Sequence, residues 1–240
     1  MLGLALLLAL SAAPARADDG ARQEVDRLYF HRDQGKNLAD SISELDGLIK
    51  NGGGPPAEFY WRRCRSIFRR GEKREKKADK LADFVLAGQD CAKSVELNPY
   101  DADAHFFYGV VMGKRGETQG ILKSLFLIKP IKTEMNAALR LDPNYGGAYR
   151  VLGEILWQVP GFAGGDKKEA LEKFQAAVRL TPNYTANYQP LAEAYVYLGR
   201  KDDAIKTLKA VAEIKDPADP AEYPDDLADA RKRLAALEAK

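Results

Sequence analysis

Apolar residues recur at steps of three and four along most of this chain. The clearest run lies at about 146–158, where Tyr149, Leu152, Gly153 and Leu156 share one face of a helix. A second run follows at about 167–180, with Ala170, Phe174 and Ala177 on one face. Gly153 has no Cβ, so a neighbouring helix can approach its backbone closely. Asp166 suits the N-cap of the second helix, with Glu169 three residues on as a capping-box partner, and Pro182 cannot continue it. The pattern predicts an antiparallel helix pair that needs neighbours to bury its apolar faces.

Those neighbours are visible in the sequence. A small residue at the predicted helix crossing occurs as Cys64, Gly109, Gly153 and Ala192, with a ring four residues earlier at Tyr60, His105, Tyr149 and Tyr188. First helices end at Gly71, Gly116, Pro160 and Gly199, and units end at Pro99, Pro143, Pro182 and Pro217. Four columns agreeing over four copies resemble the tetratricopeptide repeat. The fold expected is all-α: a right-handed superhelical solenoid of antiparallel helix pairs with a C-terminal capping helix.

The chain divides accordingly. Residues 1–17 (MLGLALLLALSAAPARA) read as a signal peptide cleaved after Ala17, too short for a membrane span and followed by no lipobox cysteine. Residues 18–56 form a degenerate helix pair ending in the turn Asn51–Pro56, and 57–217 carry the repeats. A charged helix at about 225–239 caps the chain within 218–240, with Leu227, Ala230, Leu234 and Leu237 inward. The first two repeats are overlong against the usual length of about 34 residues. The first predicts a lengthened second helix at about 74–97. The second places its excess in the apolar stretch Gln119–Pro130, where Pro130 should kink or restart the helix. A loop, Gly161–Gly165, accounts for the excess of the third.

Charge changes the picture little. The 37 Lys+Arg and 35 Asp+Glu are nearly balanced, which gives no case for nucleic acid. The basic run from Arg69 to Lys77 reads as a solvated turn. Two cysteines, Cys64 and Cys91, are either bridged in an oxidising compartment or two small core residues. No nucleophile, phosphate-loop or metal-ligand motif occurs, so no catalytic residue, metal or cofactor is expected. Of the two histidines, His105 occupies the ring column and reads as core. Asp101 reads as a helix cap, and Asn183-Tyr184-Thr185 as a turn rather than a glycosylation site.

In stacked helix pairs the first helices line the concave side. The residues expected there are Trp61, Arg65, Phe68, Phe106, Val110, Arg150, Glu154, Trp157, Gln189, Glu193 and Tyr197. Aromatic and Arg side chains often carry interface energy, so a protein or peptide partner is the first expectation. A small apolar ligand, held between Trp61, Phe106 and residues 121–128, is the second. The apolar stretch 121–128 could alternatively drive self-association.

A narrower resemblance rests on Tyr60-Trp61-Arg62, His105–Gly109, Gly120–Lys132 and Pro160–Asp166. These segments are similar to the T component of tripartite ATP-independent periplasmic (TRAP) transporters and to the regulator of microtubule dynamics family. The first resemblance implies a periplasmic, trimeric, transporter-linked helical-repeat protein. The missing lipobox cysteine departs from its lipoprotein pattern, so no membrane anchor is implied.

Overall fold

The computed structural model of the chain describes residues 15–52 and 56–239. The leader at 1–17 and the turn at 51–56 therefore lie outside the described residues, apart from the backbone of 15–17 and residues 51, 52 and 56. Eleven α-helices follow one another among the described residues, without a strand: α1 (Ala15–Phe30), α2 (Asn37–Asn51), α3 (Pro56–Glu72), α4 (Lys77–Leu97), α5 (Ala102–Gln119), α6 (Ile121–Leu141), α7 (Gly146–Gln158), α8 (Lys167–Leu180), α9 (Tyr188–Tyr197), α10 (Lys201–Ala212) and α11 (Tyr223–Glu238). They pack as consecutive pairs, α3 with α4, α5 with α6, α7 with α8 and α9 with α10, with each pair leaning on the next. The result is a helical-repeat solenoid.

The crossing column explains why the pairs close so tightly. A Cβ on Gly153 would stand 2.6 Å from Cε1 of Phe174, and one on Gly109 would stand 2.3 Å from Cε of Met135. Phe174 and Met135 are buried, so each second helix drives a large side chain into a gap that only glycine leaves open. In the α3–α4 pair the same column holds Cys64, which is bonded to Cys91 with Cα atoms 5.5 Å apart. The bridge, which spacing alone leaves open, stands where the α5–α6 and α7–α8 pairs interlock a glycine with a side chain. Cys64 and Cys91 share a core with Ile42, Ile67, Phe84 and Val111.

Local signals account for the helix starts. Asp101 accepts from the amides of Asp103 (2.9 Å) and Ala104 (3.2 Å), and Asp166 does the same for Lys168 (2.9 Å) and Glu169 (3.0 Å). His105 is buried, and its ring nitrogens meet Glu134 at 2.6 Å and the Pro99 carbonyl at 3.1 Å. At the C-terminus, Ala230, Leu227, Leu234 and Leu237 of α11 cover Leu208 and Val211.

Three expectations are corrected. The lengthened helix α4 starts at Lys77, three residues later than its sequence predicts. Helix α6 does not restart at Pro130 but continues through it from Ile121 to Leu141. Pro130 lies on the exposed side, where water can take the Phe126 carbonyl that the missing N–H leaves free. The basic run is not a solvated turn throughout. Arg69 and Arg70 close α3, Arg70 and Arg74 both pair with Asp83, and Arg69 turns inward.

Gly153→Ala should lower the stability by about 1–3 kcal/mol, because the buried Phe174 ring has nowhere to move. Gly113→Ala, whose added methyl would lie 3.8 Å from Ile131, should be neutral or stabilising. Urea unfolding of the two variants measures the difference.

Candidate functional site

A cleft of about 920 Å³ runs along the inner side of the coil. One wall is apolar. It is built by Phe106 and Val110 of α5, Ile121, Leu125, Ile128 and Ile131 of α6, and Val151 and Ile155 of α7, with Pro160 and Phe162 at the rim. The floor is charged and comes from distant parts of the chain. Arg69 and Glu72 end α3, Arg150 and Glu154 lie on α7, and Tyr184 precedes α9. Asp219, Glu222 and Asp226 belong to α11 and the loop before it.

The floor exists because the two ends of the described chain meet. Arg32, just after α1, places Nη2 at 2.7 Å from both Asp219 Oδ2 and Glu222 Oε1. The Arg32 side chain is 1% exposed and that of Asp219 7%. Arg69 shares the same carboxylates, at 3.4 Å from Asp219 and 3.8 Å from Glu222, and pairs with Glu72 at 2.8 Å. The Asp219 loop is pinned from the other side by the Ala218 amide, which donates to the Asn183 carbonyl at 2.9 Å.

These surroundings set the protonation states. Burial would lower the pKa of Arg69, but Tyr29, Glu72 and Glu222 around it hold it well above its ordinary value. Arg150 is likewise opposed by burial and held up by Glu154, to which it donates at 2.5 Å, while its Nε has no partner. Burial pushes the Tyr184 hydroxyl up, so it stays an O–H donor. Burial also pushes the Asp226 carboxyl up, against the hydrogen bond it accepts from Thr185 and with Glu222 and Asp219 adding to the rise. The six cleft carboxylates (Glu72, Glu117, Glu154, Asp219, Glu222, Asp226) face four cations, Arg69, Lys114 and Arg150 in the lining and Arg32 bound to Asp219 and Glu222. Most are already paired, and Asp226 is the one held by a neutral hydroxyl. The cleft can therefore take an apolar segment and still favour a positive charge near its floor.

Five of the residues expected on the concave side line this cleft: Phe68, Phe106, Val110, Arg150 and Glu154. Phe68 and Phe106 present only an edge, being 3% and 5% exposed. Trp157, Gln189 and Glu193 line an adjoining hollow of about 300 Å³, which shares Arg150, Glu154 and Asp226 with the main cleft. Three expectations are corrected. Trp61 is buried and stacks on Phe107 at 5.9 Å. Arg65 is buried over the Tyr29 ring at 3.6 Å and bound to Asp26 at 2.6 Å, because α1 covers this stretch of α3. Tyr197 faces outward, where it and Trp157 hold Lys167 between their rings at 4.4 and 4.0 Å. Tyr184, Asp219, Glu222 and Asp226 were not expected in the cleft, since they lie outside the repeat columns. Among the described residues no group of three or more His, Cys, Asp or Glu is arranged to hold a metal ion.

Comparison with known proteins agrees with this architecture. The family model described as regulator of microtubule dynamics protein 1-3 matches residues 22–160, and a tetratricopeptide repeat model matches residues 162–224. Regulator of microtubule dynamics protein 3 of Bos taurus is 26% identical over 149 residues, which are 62% of this chain and 31% of that protein. The Rattus norvegicus protein is 23% identical over 153 residues, 64% of this chain and 32% of its own length. The chain thus spans about a third of the length of these curated relatives. Among solved structures, a thermophilic tetratricopeptide repeat protein of Thermus thermophilus superposes with a TM-score of 0.68 at 16% identity, covering 93% of this chain and all of that one. MamA of Desulfovibrio magneticus gives a TM-score of 0.50 at 18% identity, covering 85% and 97%. At such identities the likeness shows the fold alone.

The Asp226 carboxyl gives a pH signature. Since burial raises it, the folded chain favours its neutral form. Ionising it costs stability as the pH climbs past the ordinary carboxylate range, and the cost is absent below that range. Asp226→Asn keeps an oxygen for Thr185 and removes the charge. It should raise the melting temperature at about pH 7 and leave it unchanged below about pH 3.5. Thermal melts at the two pH values measure this.

Proposed function

The chain belongs to the regulator of microtubule dynamics protein 1-3 family, and from that premise and its cleft we propose that it is an exported, non-enzymatic scaffold that holds a segment of a partner protein. That the fold is suited to protein–protein interaction follows from its tetratricopeptide character. The finer reading rests on one observation. The concave cleft sets an apolar wall of α5, α6 and α7 opposite a floor whose carboxylates outnumber its cations. A segment with two or three apolar side chains and a Lys or Arg would satisfy both sides. Export is supported by the leader pattern at 1–17 and by the Cys64–Cys91 bridge, since such bridges persist in oxidising compartments.

A second reading has an observation of its own. Ile121, Leu125 and Ile128 do not pack wholly within the core but line the cleft, and its volume suits a small amphiphilic molecule. On that reading the chain is a periplasmic ligand-binding accessory of a TRAP-type transporter.

A photo-crosslinking residue at Val110, inside the cleft, should trap one partner protein in periplasmic extracts, and the same group at Leu86 on exposed α4 should not. Ile155→Asp should reduce trapping at least about tenfold while helicity is retained. Equal trapping from both positions would contradict the scaffold reading. No trapping, together with a small molecule that co-purifies with the wild type and is lost in Ile155→Asp, would move the assignment to the second reading.

A further inference from the structure

We propose that the first two turns of α6 dock this chain on the surface of an anionic lipid bilayer. The patch shares Ile121 and Leu125 with the rim of the cleft, and the inference rests on its exposed side.

The observation begins with exposure. Ile121 is 79% exposed, Leu122 73% and Phe126 79%, with Leu125 beside them also exposed. Leu122 and Phe126 lie on the outward side of α6, and Ile121 and Leu125 stand at its edge on the cleft, while Leu127, Ile131 and Met135 at steps of four take the side packed on the core. Large apolar side chains on consecutive turns rarely stay bare in water. Phe162, 96% exposed on the neighbouring loop, borders the same cleft mouth as Ile121 and Leu125. Two elements thus bring apolar side chains to one rim.

The charges around the patch select the occupant. Between Glu117 and Glu134 the sequence holds Lys123, Lys129 and Lys132 and no acidic residue. None of the three α6 lysines has an ion-pair partner among the described residues. Lys123 flanks the patch, and Lys129 follows Phe126 by three residues on the same side. A second copy docked through the same patch would set these lysines against each other with no carboxylate in the segment to offset them. A bilayer with anionic headgroups takes the apolar side chains into its acyl boundary and the lysines into its headgroup layer, with their stems extended along the interface. The contact is peripheral: no described helix is long and apolar enough to cross a membrane.

Co-sedimentation of the full chain with vesicles tests the proposal. The chain should bind vesicles of phosphatidylcholine mixed with phosphatidylglycerol, bind phosphatidylcholine alone at least about tenfold more weakly, and be released by salt. The pair Leu122→Ser and Phe126→Ser should lower binding about tenfold or more. The pair Lys123→Gln and Lys129→Gln should lower it about fivefold per lysine on anionic vesicles only. Val85→Ser with Leu86→Ser, on exposed α4, should change nothing. All variants share one N-terminus, so the differences report the patch. No binding by the wild type, or equal binding by the α6 variants, would overturn the proposal. A dimer abolished by Leu122→Ser and Phe126→Ser, without vesicle binding, would assign the patch to a second copy and overturn it too.

Discussion

The cleft depends on a buried ion cluster that joins residues 187 positions apart. Arg32 and Arg69, from the first third of the chain, share Asp219 and Glu222, from its last tenth. In a stack of helix pairs each unit touches only its neighbours, and stability is nearly a sum along the stack. Here Arg32 and Arg69 meet Asp219 and Glu222 across the stack, and the open groove gains a floor. Burying such charges costs several kcal/mol per ion and is offset only where the geometry is good. The geometry here is good but incomplete, since Arg32 Nε and Asp219 Oδ1 have no hydrogen-bond partner. Its main effect is therefore one of position: it fixes how far the coil closes, and with that the width of the cleft.

The local layers of this architecture were legible in the sequence, and the reason is physical. The crossing residues Gly109 and Gly153, the caps Asp101 and Asp166, and the helices 146–158 and 167–180 are each set by neighbours within one repeat. Periodicity reports that range directly. The cleft is another matter. Phe106, Val110, Arg150 and Glu154 could be placed from the face they occupy on a first helix. Trp61 and Arg65 sit at equivalent positions and are lost, Arg65 beneath Tyr29 and Asp26 of α1 and Trp61 against Phe107 of α5. Asp219, Glu222, Asp226 and Tyr184 could not be placed at all. Their role follows from superhelical winding, a small rotation per repeat that accumulates over the coil and leaves no mark in any one repeat.

Two features now divide the functional surface. The cleft is enclosed, mixed in charge and shaped by both ends of the coil. The α6 patch is open, apolar and edged by lysines that no carboxylate pairs among the described residues. They meet at Ile121 and Leu125, so whatever covers the patch also stands at the mouth of the cleft. The overlong second repeat is what creates this junction, by adding the exposed first turns of α6 to an otherwise ordinary helix pair.

The most direct test is whether the two ends of the coil touch in solution. A double-mutant cycle on Arg32→Met and Asp219→Asn, read by urea unfolding, isolates their interaction from the effect of each change alone. The expected coupling is about 1–3 kcal/mol, because the pair is buried and hydrogen-bonded at 2.7 Å. A coupling near zero would mean that the ends do not meet, and the charged floor of the cleft would not exist as described.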